Sequence, residues 1–466
     1  MIEKYYNGVI EQVAGGIGNV EHNSILVRYS NDFSIWDLES VNHYKDQTDI
    51  FFTCHEFSYN KIAEAYEPYL GLIRQMFHKY CSGTLEEFME ECDVYKLQRP
   101  VFESYFEKGF CERTEQILID EVEYEQERMH SSIVTMLQKL SEICPIVIVL
   151  NRFQLASKST MQLTNRLLQT KNKNIGIVLG VNDVQSIPEF AHEEWDAICE
   201  SMDDRNMVYH IGNAGRNMEP DVMDYYSDYE SDDGYRKLNN LVYFLDFDQA
   251  DHHLSKIERR IKFDNFTISE KKHYQLLLLQ IMVSVLQRDI AKALESCEDL
   301  EKLQDQEKEG AFYYNFWMAT SYMYLGKLEE AMIYVQKAKE CGEALGDDFL
   351  VFRAELLKAQ NQMSGWCNIF FCAQDIEISD KLIEKLNAYH YKNHLAHIYI
   401  YAYDNKPEIV AKAYRSEAFL IYFSKGVALA KEIGNEQLIS IAYRKNIMIA
   451  SVSYTHLRAH ETRSNL

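Results

Sequence analysis

Two polar residues, Asn151 and Arg152, come directly after an apolar run in the stretch PIVIVLNRFQLASKSTMQLTNRLL (145–168). The run 146–150 predicts a strand buried on both faces, and helical spacing begins near Ser159. An α/β nucleotide-binding domain usually carries a metal-binding acid at such a junction. An amide has no charge to offer a metal and a guanidinium repels Mg²⁺. The stretch therefore raises the question whether a domain built to hydrolyse a nucleotide has kept its fold and lost its chemistry.

Glycines also raise the question of phosphate binding, in the stretch VAGGIGNVEHNS (13–24). Backbone N–H groups of a glycine loop can wrap phosphates, but a lysine and a hydroxyl must follow them. Asn19 and Val20 stand at those two places. The stretch is better explained as a turn before the first strand.

Histidines and carboxylates suggest metal sites in three places. His394 and His397 share one helical face, but no third ligand is placed by the sequence, so we expect ordinary surface or packing residues. His252 and His253 are adjacent and point in different directions. The acidic stretch 213–235 lacks the spacing of a calcium-binding loop and predicts a flexible, solvated loop. We expect no catalytic residue, no metal and no cofactor in this chain.

Composition limits the class of protein. The chain has 466 residues, of which 47% are apolar, and this predicts a folded protein of two or three domains. Its formal charge of -24 argues against nucleic-acid or anionic-membrane binding through this segment. No signal peptide and no apolar run of membrane-spanning length are found, and the ten cysteines include no CxxC pair. We therefore expect a cytoplasmic protein with free thiols.

The elements that position Asn151 and Arg152 belong to an α/β pattern in the first half of the chain. Helical segments are expected between the strands, notably at 59–81 and 111–144. Alternating strands and helices favour a parallel sheet covered on both faces. Strands are predicted at 23–30, 48–57, 145–151, 174–182 and 207–212.

The order and spacing of these segments resemble the ATPase modules of STAND-type signalling P-loop NTPases. In those modules an apolar strand is followed by two acids, a linker with Ala, and a helix that opens with Thr and leucines. Asn151 and Arg152 fall where the two acids belong. The linker and helix positions are matched by Ala156, Thr160, Leu163 and Leu167 or Leu168.

The phosphate loop implied by this resemblance is degenerate. Aligning ILVRYSNDFSIWDLES as strand, loop and helix start puts Tyr29 and Ser34 at the glycine positions. Ile35 and Trp36 then stand at the Lys and Ser/Thr positions. We expect a fold kept as a scaffold without ATP turnover, with Trp36 as a candidate plug of the dead pocket. Nucleotide binding without hydrolysis stays open.

The second half of the chain predicts paired helices. NFWMATSYMYLGKLEEAMIYVQKAKECGEALGDD resembles a tetratricopeptide repeat, with Gly326 at the turn between two helices. A second copy follows at an offset of 88, where 433–435 matches 345–347. The resemblance implies a helical solenoid that binds a protein or peptide partner; a homodimer stays open. The small and aromatic positions of the motif are Ala319, Tyr322, Gly326, Ala331 and Ala338.

The expected organisation is an α/β P-loop-NTPase-like domain followed by an all-α, TPR-like solenoid. Residues 452–466 resemble a translated sequencing adapter, so we expect the natural chain to continue beyond Ser451. The domains are placed at 1–212 (degenerate NTPase-like), 213–235 (acidic loop), 236–300 (helical linker), 301–451 (TPR-like repeats) and 452–466 (adapter-derived tail).

The arrangement is similar to the N-terminal regulatory halves of multidomain Firmicutes signalling proteins that end in a GGDEF diguanylate cyclase domain. The expected function is therefore regulation of a missing cyclase that makes cyclic di-GMP. The alternative is the N-terminal part of a STAND-type transcription regulator whose DNA-binding domain is missing. Neither output has residues of its own in this chain.

Overall fold

A computed structural model of the chain describes most of its residues, and the chain divides into two compact units. Unit 1 comprises 1–94, 98–112 and 125–267, and unit 2 comprises 95–97, 113–124 and 268–466. The described residues are 2–18, 23–29, 35–45, 49–58, 61–113, 115–119, 121–170, 172–182, 187–203, 208–211, 226–264, 266–364, 380–401 and 417–447.

Unit 1 contains a parallel five-stranded sheet in the order β2-β3-β4-β1-β5. All five predicted strands are confirmed, and the buried apolar runs form the central strands because both faces of the sheet are covered. The strands are β1 (Ser24–Tyr29), β2 (Phe51–Glu56), β3 (Ile146–Asn151), β4 (Ile175–Asn182) and β5 (Val208–Ile211).

The helices of unit 1 are shorter than their sequence patterns predict. The segment expected at 59–81 becomes helical only at Tyr69, directly after Pro68, since proline has no N–H for a helix interior. The segment expected at 111–144 is helical from Val122. The helices are α1 (Ile2–Gly15), α2 (Glu39–Lys45), α3 (Tyr69–Tyr80), α4 (Leu85–Glu91), α5 (Arg99–Lys108), α6 (Val122–Ile143), α7 (Lys158–Gln169), α8 (His192–Asp203), α9 (Tyr226–Glu230), α10 (Asp232–Tyr243) and α11 (Phe247–Phe263).

Helix α1, which the sequence analysis does not assign, covers one face of the sheet together with α2. Two glycines of β4 allow its close approach. A Cβ atom at Gly176 would lie 2.6 Å from Val13, and one at Gly180 would lie 2.2 Å from the Tyr6 hydroxyl. The apolar side of α1 thus lies directly on the strand backbone.

The expected flexible acidic loop is wrong for its last ten residues, which form α9 and the start of α10. The carboxylates there have structural partners. Asp228 accepts a hydrogen bond from the Ile62 backbone N–H at 2.8 Å and lies 3.4 Å from Lys237 Nζ. Ser231 caps α10 by accepting from the Gly234 N–H. The preceding residues, 213–225, lie outside the described part of the chain.

Unit 2 is helical, as predicted for the second half of the chain. Each helix from α12 to α17 packs on the next helix in sequence, and α18 packs on α19. The helices are α12 (Glu270–Leu286), α13 (Ile290–Glu301), α14 (Gly310–Tyr324), α15 (Leu328–Leu345), α16 (Asp348–Ser364), α17 (Asp380–Ala388), α18 (Lys392–Tyr401), α19 (Glu417–Ile433) and α20 (436–447).

Two turns of unit 2 have the same construction at the predicted offset. Gly346 ends α15 with φ 67° and Gly434 ends α19 with φ 74°, a left-handed conformation that glycine adopts without strain. Asp347 and Asn435 follow and accept hydrogen bonds from the first turn of the next helix. Matched sequence positions therefore form matched helix–turn–helix corners.

The division into units differs from the predicted domain boundaries. Helices α9 to α11 belong with the sheet in unit 1, although the sequence analysis separates them at residues 212 and 235. Residues 113–124 belong to unit 2, although the chain on either side of them belongs to unit 1. Residues 452–466 lie outside the described part.

Candidate functional site at the carboxyl edge of the sheet

The candidate site lies where β1, β2 and β3 end, and we call this place the carboxyl edge. Open α/β sheets bind ligands at the carboxyl ends of their strands. The structure brings together Tyr29, Glu56, Asn151 and Arg152 there, from strands that are adjacent in the sheet or separated by β4. Two sequence-predicted positions, Tyr29 and Asn151, are in direct contact.

Asn151 is fully buried and holds a tyrosine hydroxyl. The Tyr29 hydroxyl donates a hydrogen bond to Asn151 Oδ1 at 2.7 Å, and neither side chain is exposed. Tyr6 of α1 reaches the same place over Gly180. Burial, followed by the neighbouring Tyr29 and Glu56, raises the pKa of Tyr6 well above its usual value. The position expected for a metal-binding acid is therefore surrounded by neutral hydroxyl groups.

Arg152 is paired with the one carboxylate of this group. Its Nη1 lies 2.9 Å from Glu56 Oε1, and both side chains are largely buried. The other oxygen, Glu56 Oε2, accepts a hydrogen bond from the Ile35 backbone N–H at 3.2 Å. Arg152 adopts a left-handed backbone conformation with φ 52°. The pair neutralises the carboxylate that could otherwise bind a cation.

These residues do not fit a magnesium nucleotide. Mg²⁺ prefers oxygen ligands in octahedral geometry, and phosphates need a cationic or N–H-lined cradle. Here the amide oxygen accepts from Tyr29, and the carboxylate is bound to a guanidinium. A metal would have to break a buried ion pair to reach an oxygen ligand.

Trp36 does not plug this edge, contrary to the expectation from the sequence. It lies in a short 3₁₀ turn (Ile35–Asp37) with 49% of its surface exposed. Ile35 is fully buried in the core that α1 and α2 form with the sheet. The next helix begins at Glu39, later than the alignment predicts. Ser34 lies outside the described residues.

The residues at and after the start of α7, the helix that follows β3, serve to cap this helix and to pack it in the core. Ser157 caps α7 by accepting from the Thr160 N–H. The Asp246 carboxylate accepts from the Ser159 N–H at 2.8 Å, and burial raises the pKa of Asp246 to about 6. Ala156, Leu163 and the leucines at 167 and 168 are buried. The matched positions of the family template are therefore core positions here.

The glycine cluster at 15–18 lies at the opposite edge of the sheet. Gly15 ends α1, and the Gly18 N–H donates to the Lys173 carbonyl oxygen at 2.7 Å. The turn leads to the start of β1, whereas ligands bind at the strand ends. This agrees with its interpretation as a turn.

The repeat-like positions of unit 2 lie between α14 and α15. Ala319, Ala331 and Ala338 are fully buried in one core, which allows close approach of the helices. Tyr322 stacks on Tyr334 of the facing helix with ring centroids 5.5 Å apart. The turn between the helices contains Gly326, whose φ is 72°.

A second polar cluster, which the sequence analysis missed, involves the histidines of α18. His394 Nδ1 lies 2.5 Å from Glu115 Oε1, and His397 Nε2 lies 2.8 Å from Glu121 Oε1. Both histidines are buried against these carboxylates, so they are packing residues with acidic partners that the sequence analysis did not identify. Each pair joins residues more than 270 positions apart, so no spacing within a short stretch of sequence could predict the contact.

Glu121 is the centre of this cluster. It also accepts from Asn393 Nδ2 at 2.6 Å and from Asn435 Nδ2 at 2.8 Å. Burial raises the pKa of Glu121, but His397 and the two amides outweigh burial and hold the pKa at about 2. Glu121 is therefore a buried carboxylate ion with every contact polar and specific.

The adjacent histidines His252 and His253 do not form a metal site. His253 is buried, with Nδ1 3.1 Å from the Tyr229 hydroxyl, and burial lowers the pKa of its imidazole. Across the residues that the structure describes, no group of three His, Cys, Asp or Glu side chains is arranged to hold a metal ion.

None of the helices in the described ranges combines the length and apolar character needed to cross a bilayer. Comparisons with family models, with curated proteins and with solved structures give no match to this chain.

Proposed function

We propose that this chain is a regulatory signalling protein of the cytoplasm, with a catalytically inert NTPase-like unit and a helical unit that binds a protein or peptide partner. The observation that carries the proposal is the state of the carboxyl edge. Asn151 is bound by the Tyr29 hydroxyl, and Arg152 is bound by Glu56. The polar groups of a nucleotide site are thus replaced by internal contacts.

Phosphoryl transfer is mainly an electrostatic problem, which explains why this replacement abolishes turnover. Charge develops on the transferred group, and Mg²⁺ and a lysine normally stabilise it. At the carboxyl edge the nearest charges are already paired, and the hydroxyl groups of Tyr6 and Tyr29 are neutral. The unit retains a sheet that holds its helices in place.

The strand order supports an origin in the NTPase fold. In the order β2-β3-β4-β1-β5, one strand separates β1 from β3. The P-loop ATPase modules that the sequence resembles separate the strand before the phosphate loop from the strand of the metal-binding acid in the same way. The matched helix–turn–helix corners at Gly346 and Gly434 support a repeat array in unit 2.

The output rests on the sequence resemblance to regulatory halves of diguanylate cyclases. Sequencing the gene from genomic DNA past codon 451 tests it. An in-frame GGDEF domain supports control of a cyclase, and a helix-turn-helix domain supports the alternative, a transcription regulator. A stop codon directly after codon 451 contradicts both.

The inert-site proposal is tested by titrating the purified chain with a fluorescent ATP analogue and Mg²⁺, alongside an ATP turnover assay. We expect no saturable binding and no phosphate release above the buffer blank. The Arg152→Ala variant is the matched control, since it frees Glu56 while leaving the sheet core unchanged. Saturable micromolar binding or magnesium-dependent turnover by the unmodified chain would falsify the proposal.

A further inference from the structure

Residues 113–124, which we call the strap, lie in unit 2 as a segment apart from its helical array. The described residues 115–119 and 121 of the strap form neither helix nor strand, and α6 begins only at Val122. Both flanking stretches of chain belong to unit 1. The strap is thus an irregular segment, with a turn in which the Glu121 N–H donates to the Leu118 carbonyl oxygen, and it lies against helices that are distant in sequence.

Two glutamates, six positions apart, provide the main polar contacts of the strap. Glu115 lies at the start of α18, where the backbone N–H groups of Asn393 and His394 donate to its two oxygens at 3.3 and 2.7 Å. The His394 imidazole also contacts Glu115. A carboxylate at a helix start satisfies N–H groups that have no partner within the helix.

Glu121 is bound by side chains from two elements. His397 and Asn393 come from α18, and Asn435 comes from the turn between α19 and α20. Asn435 Nδ2 also donates to Asn393 Oδ1 at 2.9 Å, so the two amides are held in place for the carboxylate. We call Asn393, His394, His397 and Asn435 the acid-binding face.

The strap also has an apolar and an aromatic contact. Ile119 packs against the core formed by α12 to α16. The Tyr124 hydroxyl donates to the Gly434 carbonyl oxygen at 3.3 Å and accepts from the Glu436 N–H at 3.1 Å. An acid, an apolar residue and a second acid are therefore bound in order along the strap, and Tyr124 follows them in the first turn of α6.

Such a surface has the properties of a peptide-binding site. The backbone N–H groups, amides and imidazoles of the acid-binding face surround two carboxylates, and both carboxylates belong to the strap. Removing the strap would expose these donors to water and take away the carboxylates that they bind, and another carboxylate would restore the charge-assisted hydrogen bonds. The surface therefore favours acidic peptides over neutral ones.

We propose that the acid-binding face is the partner site of the helical unit, that its ligand is an acidic, non-helical peptide, and that the strap occupies it as an internal competitor. The inference rests on the proposed function, since it specifies the partner class of the helical unit. A partner segment with two carboxylates and an apolar residue at the spacing of the strap displaces it. Partner binding and release of the strap are then one event.

The test uses a labelled synthetic peptide with the sequence of residues 112–124, ERTEQILIDEVEY, and the full chain. Fluorescence anisotropy measures its binding to the unmodified chain and to the E115Q/E121Q variant. Because an occupied site lowers the apparent affinity by its free fraction, we expect at least about tenfold tighter binding to the variant. A peptide with glutamine at both matching positions should lose this binding.

The matched control is a double variant with the same change of charge, at one position in the strap and one directly before it. Glu112 and Glu123 are exposed, so the E112Q/E123Q variant should bind the peptide as weakly as the unmodified chain. Adding Asn393→Ala and His397→Ala to the E115Q/E121Q variant should abolish the gain. Equal binding by both glutamine variants, or by the glutamine peptide, overturns the proposal.

A second measurement covers the case in which E115Q/E121Q does not fold. Hydrogen exchange of residues 115–119 is followed in the unmodified chain with and without excess peptide. Faster exchange with the acidic peptide, and not with its glutamine form, supports displacement of the strap. Unchanged exchange at saturating peptide contradicts it. Neither result depends on nucleotide turnover, which tests the proposed function separately.

Discussion

At the residue scale, the polar side chains at the carboxyl edge make structural contacts with one another. Asn151 can accept a hydrogen bond without carrying charge, and Tyr29 provides the donor. Arg152 and Glu56 cancel each other's charge at 2.9 Å. Each replacement stabilises the fold through a contact that a bound nucleotide would have to break.

Tyr29→Phe should lower the free energy of unfolding by about 1–2 kcal/mol, because the buried hydrogen bond from the Tyr29 hydroxyl to Asn151 is lost. Trp36→Ala is the comparison, and with half of its surface exposed it should cost less than about 1 kcal/mol. Urea denaturation followed by tryptophan fluorescence and by circular dichroism measures both. A larger cost for Trp36→Ala than for Tyr29→Phe would restore the indole as the plug.

Partly buried histidines of unit 1 should make its stability depend on pH. Burial first, and the nearby Arg166 second, lower the pKa of His130 to about 4, and burial lowers that of His55 to about 4. A lowered folded pKa means that the unfolded chain binds more protons. The stabilisation is therefore complete above the unfolded pKa near 6.5 and is lost as the pH falls towards 4.

On unfolding at pH values between 4 and 6.5, the His130→Gln variant should take up one proton fewer than the unmodified chain. Between pH 6.5 and 4, the slope of unfolding free energy against pH should fall by up to about 1.4 kcal/mol per pH unit. Asp246, whose pKa is raised, acts in the opposite direction in both proteins and cancels in the difference. Denaturation at a series of pH values measures the slopes, and identical slopes exclude a neutral buried His130.

At the element scale, the glycines fall into two groups: some occupy positions that need a left-handed backbone, and others do not. Gly346 ends α15 with φ 67°, and Gly434 ends α19 with φ 74°. Gly8 lies exposed inside α1, with nothing within 4 Å of the place where a Cβ would be. The same residue type therefore terminates helices in unit 2 and weakens a helix in unit 1.

Replacing Gly346 or Gly434 with Ala should lower the melting temperature, at a cost of about 1 kcal/mol, because Ala is strained at positive φ. Gly8→Ala should instead stabilise by about 0.5–1 kcal/mol through helix propensity. Scanning calorimetry of the three variants compares them under one condition. Stabilisation by Gly346→Ala would show that this corner does not require a left-handed residue.

The elements themselves were largely predictable. The central strands β3 and β4 follow from apolar runs, because a strand covered on both faces needs apolar residues at nearly every position, and the partly buried edge strand β2 follows from a mixed run. Helix α1 was not predicted, since its role depends on Gly176 and Gly180 of a strand far along the chain. Helix α3 begins later than its pattern indicates because Pro68 precedes it, and α6 begins later because the apolar residues before it belong to the strap and pack in unit 2.

At the scale of the whole molecule, the main difference from expectation is where the chain divides. A composition shift near the acidic stretch suggests a boundary there, but α9 to α11 pack in unit 1. The strap belongs to unit 2 through side chains in the second half of the chain. Boundaries drawn on sequence assume that neighbours along the chain share a unit, and a segment bound by distant helices breaks that assumption.

The sequence by itself determined the α/β and helical halves, and it predicts an inert phosphate site because residue type alone limits what chemistry a position can perform. Only the tertiary structure decided which side chains contact Asn151 and Arg152 and which groups surround the strap glutamates. Tyr29 and Asn151 are 122 positions apart, and Glu115 and His394 are 279 apart. Such contacts arise from how strands and helices meet in space, and no periodicity within either segment specifies them.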